Sequence, residues 1–91
     1  MKLLKFSAPW CGQCRVLAKQ LEKFDVCEVV EYDVEEEENE HLIDEYKIKN
    51  LPMLIFVNDD DSEVKRWHGT ISNIDEFKNE IKSLIKSTTH D

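Results

Sequence analysis

Two cysteines stand three positions apart near the start of the chain, in the stretch SAPWCGQCRVL at residues 7–17. A Cys-x-x-Cys unit can serve as a working dithiol, as half of a metal site or as a structural staple. In the first turn of a helix, Cys11 and Cys14 point to the same side. Their Cα atoms would then lie about 5–6 Å apart, inside the reach of a disulfide. At the helix N-terminus, unpaired backbone N–H groups and the positive end of the helix dipole favour a Cys11 thiolate. That brings its pKa below the free value of about 8.5 and makes it the better nucleophile at neutral pH. Cys14, one turn deeper, suits a resolving thiol. Such a pair can open a substrate disulfide through Cys11 and release the product when Cys14 attacks the mixed disulfide.

The two other readings need more than the chain offers. A structural zinc site takes four ligands, and no second Cys-x-x-Cys or His-x-x-x-His is present. Cys27 with His41, His68 or His90 would have to complete it, so no metal is expected. An inert buried pair fits poorly with Pro9 and Trp10 ahead of it, which read as an exposed corner between a strand and a helix.

The elements that must hold this corner follow from hydrophobic patterning. Leu3, Leu4 and Phe6 form a short apolar strand bounded by Pro9. Val16, Leu17, Gln20, Leu21 and Phe24 recur at helical spacing and predict an amphipathic helix over about residues 11–24. VCEVVEYDV, residues 26–34, is rich in β-branched residues and reads as a buried strand. The carboxylates of Glu35–Glu38 suit the start of a second helix, with Leu42, Ile43 and Tyr46 facing inward. LPMLIFV is an unbroken apolar run and predicts a central strand, with Pro52 at its start where a missing N–H is tolerated. NDDD is a turn, and SEVKRWH alternates as a strand at or near an edge. Ser72 and Asp75 suggest a capping box for a last helix carrying Ile74, Phe77, Ile81, Leu84 and Ile85 on one face. The terminal STTHD reads as a frayed tail. The order β-α-β-α-β-β-α predicts an α/β fold, a four-stranded mixed sheet flanked by three helices.

Composition narrows the function. The 91 residues suit a single domain, 1–91, that folds unaided. Twenty acidic against twelve basic side chains give a net charge of −8, which argues against nucleic acid as a partner. With Gly12 and Gly69 the only glycines, no phosphate-cradling glycine motif can form. Three cysteines cannot all pair within the chain. The opening apolar run is too short for a signal segment or a membrane span. A reducing, cytoplasmic monomer without a membrane anchor is the expectation.

APWCGQC after an apolar strand, LP opening a later strand and a glycine soon after the hairpin together resemble the thioredoxin family. The resemblance covers nearly the whole chain, in the minimal form of the fold, and lacks the extra N-terminal strand and helix of ordinary thioredoxins. It implies a protein-disulfide reductase that needs no cofactor beyond the Cys11–Cys14 disulfide. Its substrates would be disulfide-containing proteins, and its electrons would come from a thioredoxin-reductase-like donor or from glutathione. It further implies that Trp10, Leu51, Pro52 and Gly69 line the substrate groove, with Pro52 as a cis-proline that frees the Leu51 backbone to pair with substrate.

This chain departs from the family pattern in three places. Gln13, next to Gly12, replaces the usual proline between the cysteines, a position that tunes reduction potential. Lys5 stands where the family carries a buried acid, and Glu31 where it carries the partnering lysine, so the pair is expected with its charges reversed. Glu31 or a water would then relay the Cys14 proton, while Lys5 would add positive potential. WHGTIS lacks the Gly-Gly turn with which glutaredoxins bind glutathione. A glutathione-dependent glutaredoxin and a non-enzymatic binding subunit of a larger complex are the alternatives. Cys27 is expected to be a small buried hydrophobe and His68 an exposed strand residue, with Trp67 and Tyr46 in or near the core.

Overall fold

Every residue of the MLIFV run is buried, and the run forms an inner strand of the sheet. The computed structural model describes residues 1–89. Its elements are β1 (Lys2–Ser7), α1 (Gly12–Leu21), β2 (Glu28–Asp33), a 3-10 turn (Glu37–Asn39), α2 (Glu40–Tyr46), β3 (Met53–Val57), β4 (Glu63–His68) and α3 (Ile74–Thr89). The four strands run in the order β2-β1-β3-β4. β1 pairs parallel to β2 and antiparallel to β3, and β3 pairs antiparallel to β4. This is the mixed α/β sheet expected from the element order.

Alternation along the strands splits the core in two. On one face Leu3, Leu54 and Phe56 meet Leu17 and Phe24 near α1, and Phe77 and Ile81 of α3. On the other face Leu4, Phe6, Ile55 and Val57 meet Tyr46 of α2, with Leu42 packed alongside. Burial of these side chains stabilises the sheet between its helices by roughly 1.5–3 kcal/mol each. Lys5 and Ser7 share the α1 side with Leu3, and they are the two polar residues buried in the strand.

Several elements differ from the patterning. α1 is shorter than predicted: Cys11 is its extended N-cap, and the helix closes at Leu21. β2 is an edge strand and only half-buried, because β-branched composition marks a strand without saying how many neighbours it has. Four consecutive glutamates delay α2 through a 3-10 turn. The cap of α3 is Asn73, not Ser72: Asn73 Oδ1 accepts from the Glu76 N–H at 3.1 Å. α3 continues through Thr89 where a frayed tail was expected, and the remainder of that reading, with His90 as a zinc ligand, falls outside the described residues. Val16, placed inward by spacing, is half exposed.

Candidate active site

The corner between β1 and α1 is built by local hydrogen bonds. The Cys11 N–H donates to the Ala8 carbonyl at 3.2 Å, turning the chain, and the Cys14 N–H donates to Cys11 Sγ at 3.2 Å. Cys11 thereby caps the helix with sulfur, which is where backbone N–H groups and the helix dipole stabilise a thiolate. Arg15 steadies the corner by donating from Nη1 to the Pro9 carbonyl at 3.0 Å. The two sulfurs are joined as a disulfide with Cα atoms 5.2 Å apart. Cys11 keeps 8% exposure and Cys14 3%, so the first is the more accessible.

Around the pair, Ala8, Cys11 and Cys14 form a small cluster against which Val34 and Leu51 pack. The Leu51–Pro52 peptide bond is cis. Gly69 follows β4 with φ +89, a left-handed backbone that favours glycine. Its N–H donates to the Pro52 carbonyl at 2.9 Å, joining the two predicted groove residues. Trp10 stands 66% exposed beside the cysteines, its indole N–H donating to the Glu35 carboxylate. Gly12 and Gln13 are exposed between the cysteines on the first turn of α1.

Behind Cys14 lies a cleft of about 330 Å³, lined among others by Lys5, Ser7, Arg15, Glu31 and Asp33. In the parallel register Lys5 sits opposite Glu31, on the same face of the sheet. Lys5 Nζ lies 3.2 Å from Glu31 Oε2, and Ser7 Oγ donates to the same oxygen at 2.9 Å. Burial pushes the Glu31 carboxyl pKa up, but the hydrogen bonds from Ser7 and Lys5 and the charge of Lys5 outweigh it and hold the value below the usual range. Ser7 went unread in the sequence, although its parity with Lys5 on β1 points it at the same partner.

The remaining candidates lie apart from this site. His68 is exposed at the end of β4, and Tyr46 is core. Trp67 is half-buried against Phe77. Cys27 is half-buried just before β2, and burial pushes its thiol pKa up. Gln20, read as part of the apolar stripe, instead hydrogen-bonds the backbone of Ile71 in the loop after Gly69. Among the described residues no three His, Cys, Asp or Glu side chains gather around a metal-sized space, and no helix is long and apolar enough to cross a membrane.

The family model for thioredoxin matches residues 1–83. The chain belongs to the thioredoxin family. It is 34% identical to the thioredoxin of Bacillus subtilis over 62 residues, covering 63% of this chain and 58% of that protein. Over 75 residues it is 31% identical to a protein disulfide-isomerase of Ricinus communis, covering 74% of this chain and 15% of that protein. The chain therefore spans under two-thirds of the length of these relatives. Among solved structures, Fasciola hepatica thioredoxin superimposes with a TM-score of 0.71 at 28% identity, covering 90% of this chain and 78% of the other. The thioredoxin fold explains the arrangement described above, in which a strand end, a helix N-terminus and an X-Pro strand start converge on a cysteine pair.

Proposed function

We propose that this chain is a thiol–disulfide oxidoreductase that reduces disulfides in other proteins, acting as a single-domain monomer in a reducing, cytoplasmic setting. The observation that carries the reading is the Cys11–Cys14 pair, capping α1 beside Leu51, Pro52 and Gly69. In the reduced protein the Cys11 thiolate attacks one sulfur of the substrate disulfide. The S–S bond of the substrate breaks, its other sulfur leaves as a thiolate, and a mixed disulfide remains on Cys11. Cys14 then gives up its proton and attacks Cys11 Sγ, releasing the second substrate thiol. The substrate gains two electrons and the protein leaves as the Cys11–Cys14 disulfide.

Trp10, Leu51, Pro52 and Gly69 form the groove in this scheme, where an extended substrate segment lies against backbone rather than side chains. Glu31, ionised and open to water at the mouth of the cleft, or a water beside it, receives the Cys14 proton. Gly12 and Gln13 set the stiffness of the turn between the sulfurs. A dithiol donor, either a thioredoxin-reductase-like protein or two glutathione molecules, returns the pair to its reduced form. No other cofactor takes part.

The test is insulin disulfide reduction driven in parallel by thioredoxin reductase and by glutathione. Turnover with the reductase supports the proposal, and turnover with glutathione alone assigns a glutaredoxin-like donor. Inactivity with both, together with partner binding that survives Cys11→Ser and Cys14→Ser, overturns it in favour of a binding subunit.

A further inference from the structure

Lys5 lies on an inner strand of the sheet, in the cleft behind Cys14, and its side chain is only 6% exposed. Its partner Glu31 is 60% exposed. The ion pair is therefore asymmetric, with its positive end dry and its negative end wet. Water screens the carboxylate far more than the ammonium, so the two charges do not cancel at a point inside the protein. The charged and polar groups facing this space are Lys5 and Ser7 from β1, Arg15 from α1, and Glu31 and Asp33 from β2. Arg15 is exposed and turned to the Pro9 carbonyl, and Asp33 Oδ1 accepts from the Glu35 N–H. Ser7 is committed to Glu31. Among the described residues that line this cleft with Cys14, Lys5 is the buried charge.

We propose that Lys5 is a positioning residue for the redox couple: its buried ammonium stabilises the cysteine thiolate of the reduced state and makes this pair more oxidising than it would be without the charge. The inference rests on the oxidoreductase reading above and adds a direction to it. The couple exchanges with glutathione, the protein dithiol being oxidised as one glutathione disulfide is reduced to two thiols. Any interaction made with a thiolate but not with the disulfide favours the reduced protein and raises the potential. A nearby opposite charge lowers a thiol's titration, and one unit fully expressed is a tenfold change in the exchange constant.

The experiment measures that constant against glutathione from pH 6 to pH 9, for the wild type, Lys5→Met and Lys5→Gln. Met replaces the stem of lysine with similar volume, and Gln keeps a polar tip, so a folded neutral variant is secured by one or the other. The expected result is a gap between wild type and variant that is small at pH 6. It widens as pH rises through the thiolate range to about tenfold, equivalent to about 30 mV, with the variants more reducing. The alkylation midpoint of Cys14, read in a Cys11→Ser, Cys27→Ser background, rises by about one unit when Lys5 is neutralised. Coincident curves at every pH overturn the proposal. A gap that does not vary with pH also overturns it, because packing changes carry no proton dependence. Ser7→Ala alters the same cleft but removes no charge, and an equal pH-dependent gap there would assign the effect elsewhere. Since the exchange with glutathione needs no reductase and no protein substrate, an inactive wild type in the insulin assay leaves this result readable.

Discussion

The carboxamide of Gln20 holds the backbone of Ile71 at both ends: Nε2 donates to the Ile71 carbonyl at 2.7 Å, and Oε1 accepts from the Ile71 N–H at 2.9 Å. The bond joins the helix that carries Cys14 to the loop that begins at Gly69. Gly69 is in turn bonded to Pro52, so α1, this loop and the start of β3 are tied together beside the proposed groove. Gln20→Leu leaves both Ile71 groups without this partner in a half-buried place, at a cost of about 1–3 kcal/mol in a urea titration. The loop then loses its fixed distance from α1. KM for a disulfide in an extended peptide should rise several-fold while reduction of a small aromatic disulfide, which needs no groove, stays unchanged. Equal losses on both substrates would show a general loss of folding instead.

Cys14→Ser removes the proposed resolving thiol but leaves the proposed nucleophile. Incubation with a peptide disulfide should give a stable adduct on Cys11, seen by mass spectrometry as one peptide per chain, and turnover should fall to background. Cys11→Ser, made together with Cys27→Ser, should give no adduct, since the remaining thiol, Cys14, is the less accessible of the pair.

Glu31→Gln removes the carboxylate at the mouth of the cleft and leaves Lys5 in place. Stopped-flow resolution of a mixed disulfide should slow if Glu31 takes the Cys14 proton. An unchanged rate in a folded variant assigns that proton to water and leaves Glu31 as a counter-ion alone.

Glu63 and Arg66 form a two-pronged pair on β4, with Nε and Nη2 each 2.7 Å from a carboxylate oxygen. Hydrogen bonding from Arg66 holds the Glu63 carboxyl below its ordinary value of 4.5, against a smaller opposing effect of burial. A carboxyl depressed in the folded state adds stability above its unfolded pKa and loses it as pH falls through the folded value. Urea midpoints of wild type and Glu63→Gln should therefore differ at pH 6 and converge as pH falls below 4.5 through the lowered value of the folded state. The difference should be about 1 kcal/mol or less, because both partners are partly solvated.

Cys27 should be slow to react. Burial raises its pKa; the nearby N-terminal amino group lowers it, the Glu28 carboxylate raises it, and the net shift is upward. At pH 7 iodoacetamide should label Cys11 of the reduced protein at least about ten times faster than Cys27. Comparable rates would contradict the stabilised thiolate at the cap of α1.

Much of this architecture was legible because it rests on strong local signals. MLIFV has no polar residue, so it reads as a strand enclosed on both faces. Cys-x-x-Cys after Pro9-Trp10 reads as a helix start. What local pattern misses is set by neighbours distant in sequence. VVEYD has the composition of an inner strand, yet among the described residues no strand pairs with its outer side. Gln20 sits at an apolar position of the helical repeat, where its long polar side chain meets a backbone 51 residues away. Ser7 is one of two buried polar residues on β1, and its role follows only from the register that sets Glu31 within reach. Asn73 displaced Ser72 as the cap of α3 because both residue types cap well and adjacent positions compete for one helix start.

The site hangs from the end of β1, which is bonded along both edges, by β2 on one side and β3 on the other. Just beyond the end of β2, the Val34 N–H still donates to the carbonyl of Ser7, the last residue of β1, at 2.9 Å. A strand held in this way is among the last parts of a protein to open to solvent exchange. The sulfurs therefore have little freedom to travel, and under the proposed function the adjustment of shape falls to the other molecule. Disulfides in pliant loops or in partly unfolded chains can bend to the geometry that Cys11 demands. Those braced within a rigid core cannot, and selectivity of this kind needs no recognition of any particular side chain.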